Sequence, residues 1–364
     1  LFDLAGILDE MEVDEAADVL GDLSPERAAD ALRAMEESGE VLPLLQYPDD
    51  TAGGLMTPAV VTLHRHWTAA RALEELRRVE PDADNAYYLF VTAHSGELIG
   101  VVSLRDLVVA APETTIEAMM NPNVESVTVH TDQEDCARTL SRYGFLALPV
   151  VDDQNRLVGV ITADDLIEVA EDEATEDMYR LVGISGEERV FSPIHSAVLK
   201  RLPWLAINML TLFIAITVVD AFGRIIAGMV ALATFLPLVS GEGGNAGSQT
   251  TTILVRGLAL GEVDSRGALR VLRKEVGAAL INGAAIGLGT GLVIYAWKQE
   301  WVISVAVALA MVLNFFMAAL AGVLVPLALK ALKVDPAVAS AAFVTAITDT
   351  LGFLFFLGIA TLLL

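Results

Sequence analysis

Apolar residues recur along this chain at two spacings, and past residue 200 they become nearly continuous. Over residues 1–48 the spacing is helical. Leu4, Ile7, Leu8 and Met11 form one face, which Ala17, Leu20 and Leu23 continue. Ser24-Pro25-Glu26 restarts a helix, with Ser as the N-cap and Pro at the first helical position. The pattern predicts short paired helices, with Asp9, Asp14, Asp18 and Asp30 on a solvated face. The helical pattern is already running at the first residues, as expected of a truncated start, and no cleavable signal peptide is visible there.

From Met56 the chain repeats itself. MTPAVVTL at 56–63 recurs as MNPNVESVTV at 120–129, and LIGVVSLRDLV at 98–108 recurs as LVGVITADDLI at 157–167. Each unit reads as a short strand, an amphipathic helix, then strands and a helix opened by Ser/Thr-x-x-Asp. After the second unit, DDLIEVAEDEATEDMYRLVG at 164–183 crowds acidic residues onto a predicted helix. Like charges three and four residues apart destabilise a helix. A divalent cation held by oxygen ligands, such as Mg²⁺, Ca²⁺ or Mn²⁺, would relieve that repulsion. The simpler alternative is a solvated acidic linker.

Five apolar stretches follow, near 203–222, 225–254, 277–297, 302–331 and 335–362. Each reaches the roughly 20 residues that cross a hydrocarbon core. Lys200 and Arg201 precede the first. Arg256, Arg266, Arg270, Arg273 and Lys274 separate the second from the third, and Lys330 and Lys333 the fourth from the fifth. The opposite connections carry only Arg224 and Lys298. The basic residues therefore place residues 1–200 in the cytoplasm and the C-terminus outside. Trp204, Trp297 and Trp301 fall near span ends, as interface anchors do.

Charge divides the chain at the same place. Residues 1–200 hold 40 acidic and 13 basic residues, and residues 201–364 hold 8 and 10. An acidic soluble half argues against nucleic acid and favours cations. The single cysteine, Cys136, excludes an intrachain disulfide and fits a reducing compartment.

Polar residues inside the spans carry the candidate chemistry. Asp349 lies in AITDTLGFLFF at 346–356, and no Lys or Arg stands in a span centre to pair with it. A carboxylate at that depth costs roughly 3 kcal/mol on insertion scales, so it marks an ion or proton path by default. The second span holds Pro237 and then GEGGNAGSQTTT at 241–252, a composition that permits a broken helix; Asn245 and Gln249 lie four residues apart in it. Asn314 in the fourth span and Thr345 in the fifth are further polar candidates; the alternative for Asn314 is gluing helices together.

The repeated unit resembles a CBS module, here in tandem. The whole resembles the MgtE family of magnesium channels and transporters, on EDEATEDMYRLVG at 171–183, LPLVSGEGGNAGSQTTTILVRGLALGEV at 236–263 and DPAVASAAFVTAITDTLGF at 335–353. The resemblance implies a multidomain homodimer: a short all-α N-terminal domain (1–50), CBS modules at 51–110 and 111–170, an acidic linker or plug helix (171–200), and an all-α five-helix transmembrane pore domain (201–364). It implies Mg²⁺ transport down a gradient, with Asp349 of T-x-x-D as the pore carboxylate and Asn245, Asn314 and Thr345 as candidate lining. It implies a cytosolic Mg²⁺ sensor that shuts the path, its matching residues being Asp132, Glu134, Asp165, Glu168, Glu176 and Asp177. Some members bind ATP between the CBS modules; the matching positions are Tyr88, Arg105, Asp106, Phe145, Pro149 and Asp164.

Two departures stand out. The helical domain is about half the family's usual length, and Gly144 follows Arg-Tyr where the family often has Asp, so one sensor ligand is missing. The rival readings are a carrier for Mn²⁺, Co²⁺ or another solute that borrows CBS modules, and a membrane enzyme. No G-x-x-x-x-G-K-[ST] or H-E-x-x-H occurs, and an anion path would want basic residues in the span centres. His64-x-His66 reads as surface histidines on a strand rather than as metal ligands.

Overall fold

Two methionines explain why the repeated motifs recur. The computed structural model describes residues 2–21, 23–36, 38–58, 60–79, 87–184, 188, 190–263 and 267–364. Its chain divides into two units, 1–173 and 174–364.

The first unit begins with α1 (Phe2–Leu8), α2 (Val13–Gly21), α3 (Pro25–Ala34) and α4 (Ser38–Val41), followed after a 3-10 turn by α5 (Ala52–Leu55). Leu8, Ala17 and Leu20 are buried on the expected face, and Pro25 opens α3 behind Ser24. Ile7 points outward, more than half exposed. Asp14 departs further from its expected place on a solvated face, being 92% buried. It stands one turn before Ala17, on the face that α2 turns to the core.

The first module then runs β1 (Thr62–His64), α6 (Ala69–Val79), β2 (Tyr88–Thr92), β3 (Leu98–Ser103), α7 (Leu104–Val109) and α8 (Ile116–Met119). The second runs β4 (Val127–Thr128), α9 (Gln133–Tyr143), β5 (Ala147–Val151), β6 (Leu157–Thr162) and α10 (Ala163–Leu181). Each sheet has one parallel and one antiparallel pair, in the orders β1-β2-β3 and β4-β5-β6. The modules exchange their leading segments. Thr57 pairs both ways with Val160 on β6, and Asn121 pairs both ways with Val101 on β3. Met56 and Met120 fill the gaps this leaves. A Cβ added at Gly159 would lie 2.7 Å from Met56, and one at Gly100 would lie 2.6 Å from Met120. Glycine is required at both places so that the other module's methionine can lie on the strand.

The Ser/Thr-x-x-Asp openings form as expected. Ser103 Oγ accepts from the Asp106 amide, and Asp165 accepts from the Thr162 hydroxyl and amide. Gly144, at φ +66°, ends α9 in the left-handed region that a glycine enters without strain. α10 runs without a break through the expected junction at 170/171.

The second unit takes in the end of α10, then α11 (Ile194–Ala221), the short α12 (Gly223–Gly228), α13 (Ala231–Ala259), α14 (Gly267–Lys298), α15 (Trp301–Ala331) and α16 (Pro336–Leu363). Arg266 lies outside the described residues. Among the described residues, α11, α14, α15 and the 342–363 part of α16 are long and apolar enough to cross a membrane. α13 is equally long, but its polar, glycine-rich middle lowers its apolarity. That middle is unbroken helix, not the interruption its composition permits. Its glycines serve close packing instead: a Cβ at Gly247 would lie 2.5 Å from Val344. α14 repeats the device against α15, where a Cβ at Gly287 would meet the Ala308 carbonyl oxygen at 2.6 Å. In lipid, such close backbone approach supplies the association that hydrophobicity cannot.

Candidate ion path and acidic sensor

Asp349 lies in the middle of α16 and is 93% buried. Ser240 of α13 donates its hydroxyl to Oδ1 of Asp349. Among the described residues no other hydrogen bond or ion pair reaches this carboxylate. The nearby Thr348 hydroxyl is engaged by the Thr345 carbonyl at 3.0 Å. Asn245 and Gln249 stand exposed one turn apart on α13, and Thr345 is half-buried one turn before Asp349.

Asn314 occupies a different kind of place. It is fully buried, and its Nδ2 donates to the Val239 carbonyl at 2.9 Å. Its amide fills the slot left by Gly243 of α13 and Gly352 of α16. That is the packing role a membrane asparagine plays between helices, and it does not put Asn314 on an open surface. Glu275 of α14 is a second buried carboxylate, held by Lys274 at 2.6 Å and by the Thr250 hydroxyl at 3.3 Å. Its lysine neighbour marks it as a paired, structural group.

A cavity of about 500 Å³ lies within the second unit, lined by Arg180, Arg201, Trp204, Asn208, Thr251 and Thr345, among others. Arg180 donates to both Glu176 and Asp335.

In the first unit the acidic residues form two groups. Asp132 caps α9, its Oδ1 accepting from the Glu134 amide at 2.9 Å. Glu134 pairs with Arg138 at 3.0 Å. Burial raises the carboxyl pKa of Glu134 above its ordinary value; the Arg138 charge opposes this, and Glu173 and Asp132 add to it. Gln133 fixes Glu173 by donating from Nε2 at 2.5 Å.

The second group joins α2 to the start of α10. Burial pushes the Asp14 carboxyl up, and the charge of Asp165 pushes it further. Glu12 is raised by burial and then by Asp14 and Asp165. Thr57 donates to Asp14 Oδ2 at 3.4 Å, while among the described residues the buried Oδ1 has no hydrogen-bond partner. Sequence reasoning missed Glu12, Asp14 and Glu173 as members of these groups. The i, i+3 spacing of Asp14 and Ala17 was the available signal. Glu168 and Asp164 are exposed. Among the described residues no three potential ligands already sit within reach of one metal ion.

The six candidate nucleotide residues are dispersed over both modules. Tyr88 packs in the cluster that includes Phe90 and Ala147, Pro149 is buried in β5, and Phe145 packs with the core that includes Cys136. Arg105 and Asp106 are exposed on α7. Among the described residues no hydrogen bond or ion pair joins any two of the six. His64 packs edge-on against Trp67, with ring centres 4.9 Å apart.

A helical domain and an exchanged pair of modules, followed by long apolar helices with a buried carboxylate in the middle of α16, fit a membrane transporter. Residues 236–359 match the family described as a divalent cation transporter, 52–113 and 116–172 match CBS domains, and 3–50 match the MgtE intracellular N domain. The chain is 39% identical over 327 residues to the magnesium transporter MgtE of Thermus thermophilus, covering 89% of this chain and 72% of that protein. It is 34% identical over 357 residues to the magnesium transporter MgtE of Bacillus subtilis, covering 97% and 79%. The cytosolic domain of the Mg²⁺ channel MgtE in complex with ATP is similar at 42% identity and a TM-score of 0.44, over 46% of this chain and 69% of that one. This chain belongs to the MgtE family, whose members are transporters and not enzymes.

Proposed function

We propose that the chain conducts Mg²⁺ across a cell membrane, down its electrochemical gradient, through a path that includes Asp349. The observation that carries this reading is the single partly satisfied carboxylate in the middle of α16, inside the segment matched to divalent cation transporters. Mg²⁺ sheds water reluctantly and binds through one or two carboxylates with its hydration largely kept. A carboxylate of this kind suits a hydrated ion.

The exposed polar stripe of Asn245 and Gln249 fits a path completed by a second copy of the chain. Two copies of Asp349 would then match the charge of one ion. The soluble unit lies in the cytoplasm on this reading, with the C-terminus outside.

The acidic groups act as a sensor. Without Mg²⁺, Glu12, Asp14 and Asp165 repel one another, as do Asp132, Glu134 and Glu173. The unpartnered Oδ1 of Asp14 is the kind of group a bound cation satisfies. Mg²⁺ bridging these groups through water favours the closed state. Glu168, Glu176 and Asp177 carry the same charge along α10. The shift equals the difference in Mg²⁺ affinity between the two states. ATP at Tyr88, Arg105, Asp106, Phe145, Pro149 and Asp164 would bias the same equilibrium.

The test is Mg²⁺ influx into proteoliposomes, wild type against Asp349→Asn, at low and high Mg²⁺ on the side of the soluble unit. The reading requires flux in the wild type, little in the variant, and closure at high Mg²⁺. Equal flux in the variant would make Asp349 a structural group. Mn²⁺ or Co²⁺ flux without Mg²⁺ flux would favour the borrowed-sensor alternative.

A further inference from the structure

The carboxylate of Asp349 is held on one side only. Ser240 donates to Oδ1, and among the described residues Oδ2 has no hydrogen-bond partner. The two backbones that carry this pair are themselves fixed by Asn314. That amide donates to the carbonyl of Val239, the residue before Ser240. It also packs on Gly352, one turn past Asp349, where an added Cβ would lie 2.7 Å from Nδ2. At Gly243, one turn past Ser240, the same clearance is 2.0 Å. Helix positions three residues apart share a face, so one side chain on α15 locks α13 and α16 at the level of the Ser240–Asp349 hydrogen bond.

We propose that Ser240 is a positioning and specificity-determining residue for the ion path, an inference that rests on the reading of Asp349 given above. By engaging Oδ1 it presents the carboxylate to the passing cation through Oδ2 alone. Cations differ in what they ask of a carboxylate. Ca²⁺ accepts irregular coordination and often takes both oxygens, whereas Mg²⁺ keeps its waters and needs only an acceptor for them. Taking both oxygens of Asp349 would compete at Oδ1 with a hydrogen bond to a charged acceptor, which is stronger than a neutral one. The arrangement therefore penalises Ca²⁺ and leaves hydrated Mg²⁺ unaffected.

The experiment measures Mg²⁺ and Ca²⁺ influx separately in proteoliposomes of the full chain, comparing wild type, Ser240→Ala, Ser240→Thr and Asp349→Asn. Ser240→Ala is expected to raise the Ca²⁺-to-Mg²⁺ flux ratio about tenfold, close to the lower end of what one charge-assisted hydrogen bond is worth. Ser240→Thr, which keeps the hydroxyl, is expected to restore the wild-type ratio. A merely structural serine would lower both fluxes together and leave the ratio alone. An unchanged ratio in Ser240→Ala, with Asp349→Asn silent, overturns the positioning role and leaves the ion path standing. Mg²⁺ flux through Asp349→Asn overturns both. Should Ser240→Ala not reconstitute, Ser240→Cys keeps the size with a weak donor, and its ratio must fall between wild type and tenfold.

Discussion

Arg180, in the last turn of α10, donates to Asp335, the residue whose carboxylate caps the start of α16 by accepting from the Ala337 amide at 2.8 Å. The same guanidinium holds Glu176 one turn earlier. The linker is thus tied to the very helix that carries Asp349. Replacing Arg180 by Gln is expected to leave conduction at low Mg²⁺ intact and to shift the midpoint of closure to higher Mg²⁺. The pair is about one-third exposed, so the shift is about fivefold, in line with a partly screened ion pair. A dose–response of flux against Mg²⁺ on the soluble side checks it, and an unmoved midpoint would refute the coupling.

The raised carboxyl of Asp14 sets a pH dependence for residues 1–173, which carry their own core. Its pKa is higher in the folded state than in the unfolded chain, so folding favours the protonated form. Stability is therefore greatest below the ordinary carboxylate value. It falls as pH rises from there to the raised value, and the loss is complete above it. Asp14→Asn should abolish part of this fall and stabilise the metal-free unit at neutral pH by on the order of 1 kcal/mol. Mg²⁺ should stabilise the wild type more than the variant. Thermal melts across pH, with and without Mg²⁺, decide the matter; identical pH profiles for the two proteins would disprove it.

Cys136 is wholly buried, and burial together with Asp132 and Asp135 pushes its thiol up to about 12. The thiolate is the reactive form. Aromatic disulfide reagents should therefore leave the folded protein unlabelled at neutral pH and label it fully in denaturant. Rapid labelling of the native protein would contradict this.

Two glycines on α14 should respond oppositely to the same change. A Cβ at Gly287 meets the Ala308 backbone at 2.6 Å, whereas Gly289 has nothing within 4 Å. Gly287→Ala should cost about 1–3 kcal/mol by forcing the helices apart, and Gly289→Ala should be neutral or slightly stabilising. Thermal stability of the detergent-solubilised protein distinguishes the two. Equal behaviour would mean that α14 and α15 are less closely packed than described.

What the sequence disclosed was periodic, and what it concealed depended on a partner. The tandem modules were legible because Met-x-Pro and Gly-Val recur in order, and Asp349 was legible because it stands in an apolar stretch with no basic residue in a span centre to pair with it. The continuity of α13 was not, since glycine reads locally as a breaker; only the presence of Val344 and Asn314 across the gap turns Gly247 and Gly243 into packing surfaces. Asp14 was misplaced for a similar reason. Its acidic neighbours suggest solvent, and nothing nearby in the chain announces Thr57 or Asp165. Ser240 went unnoticed because one serine among the polar residues of a span carries no signal until the carboxylate it reaches is known.

The exchange of Met56 and Met120 has a consequence in time. Thr57 finds its strand partner only at Val160, and the gap over Gly159 is filled only by a residue synthesised long before it. Contacts so distant along the chain are slow to form, because the intervening loop must close before they reward it. The first module's sheet waits only for Asn121 at the start of the second, whereas the Thr57 pairing waits for Val160 near the end of the second. The pairing of the two modules should therefore be completed only once β6 has been made, with α11 following close behind.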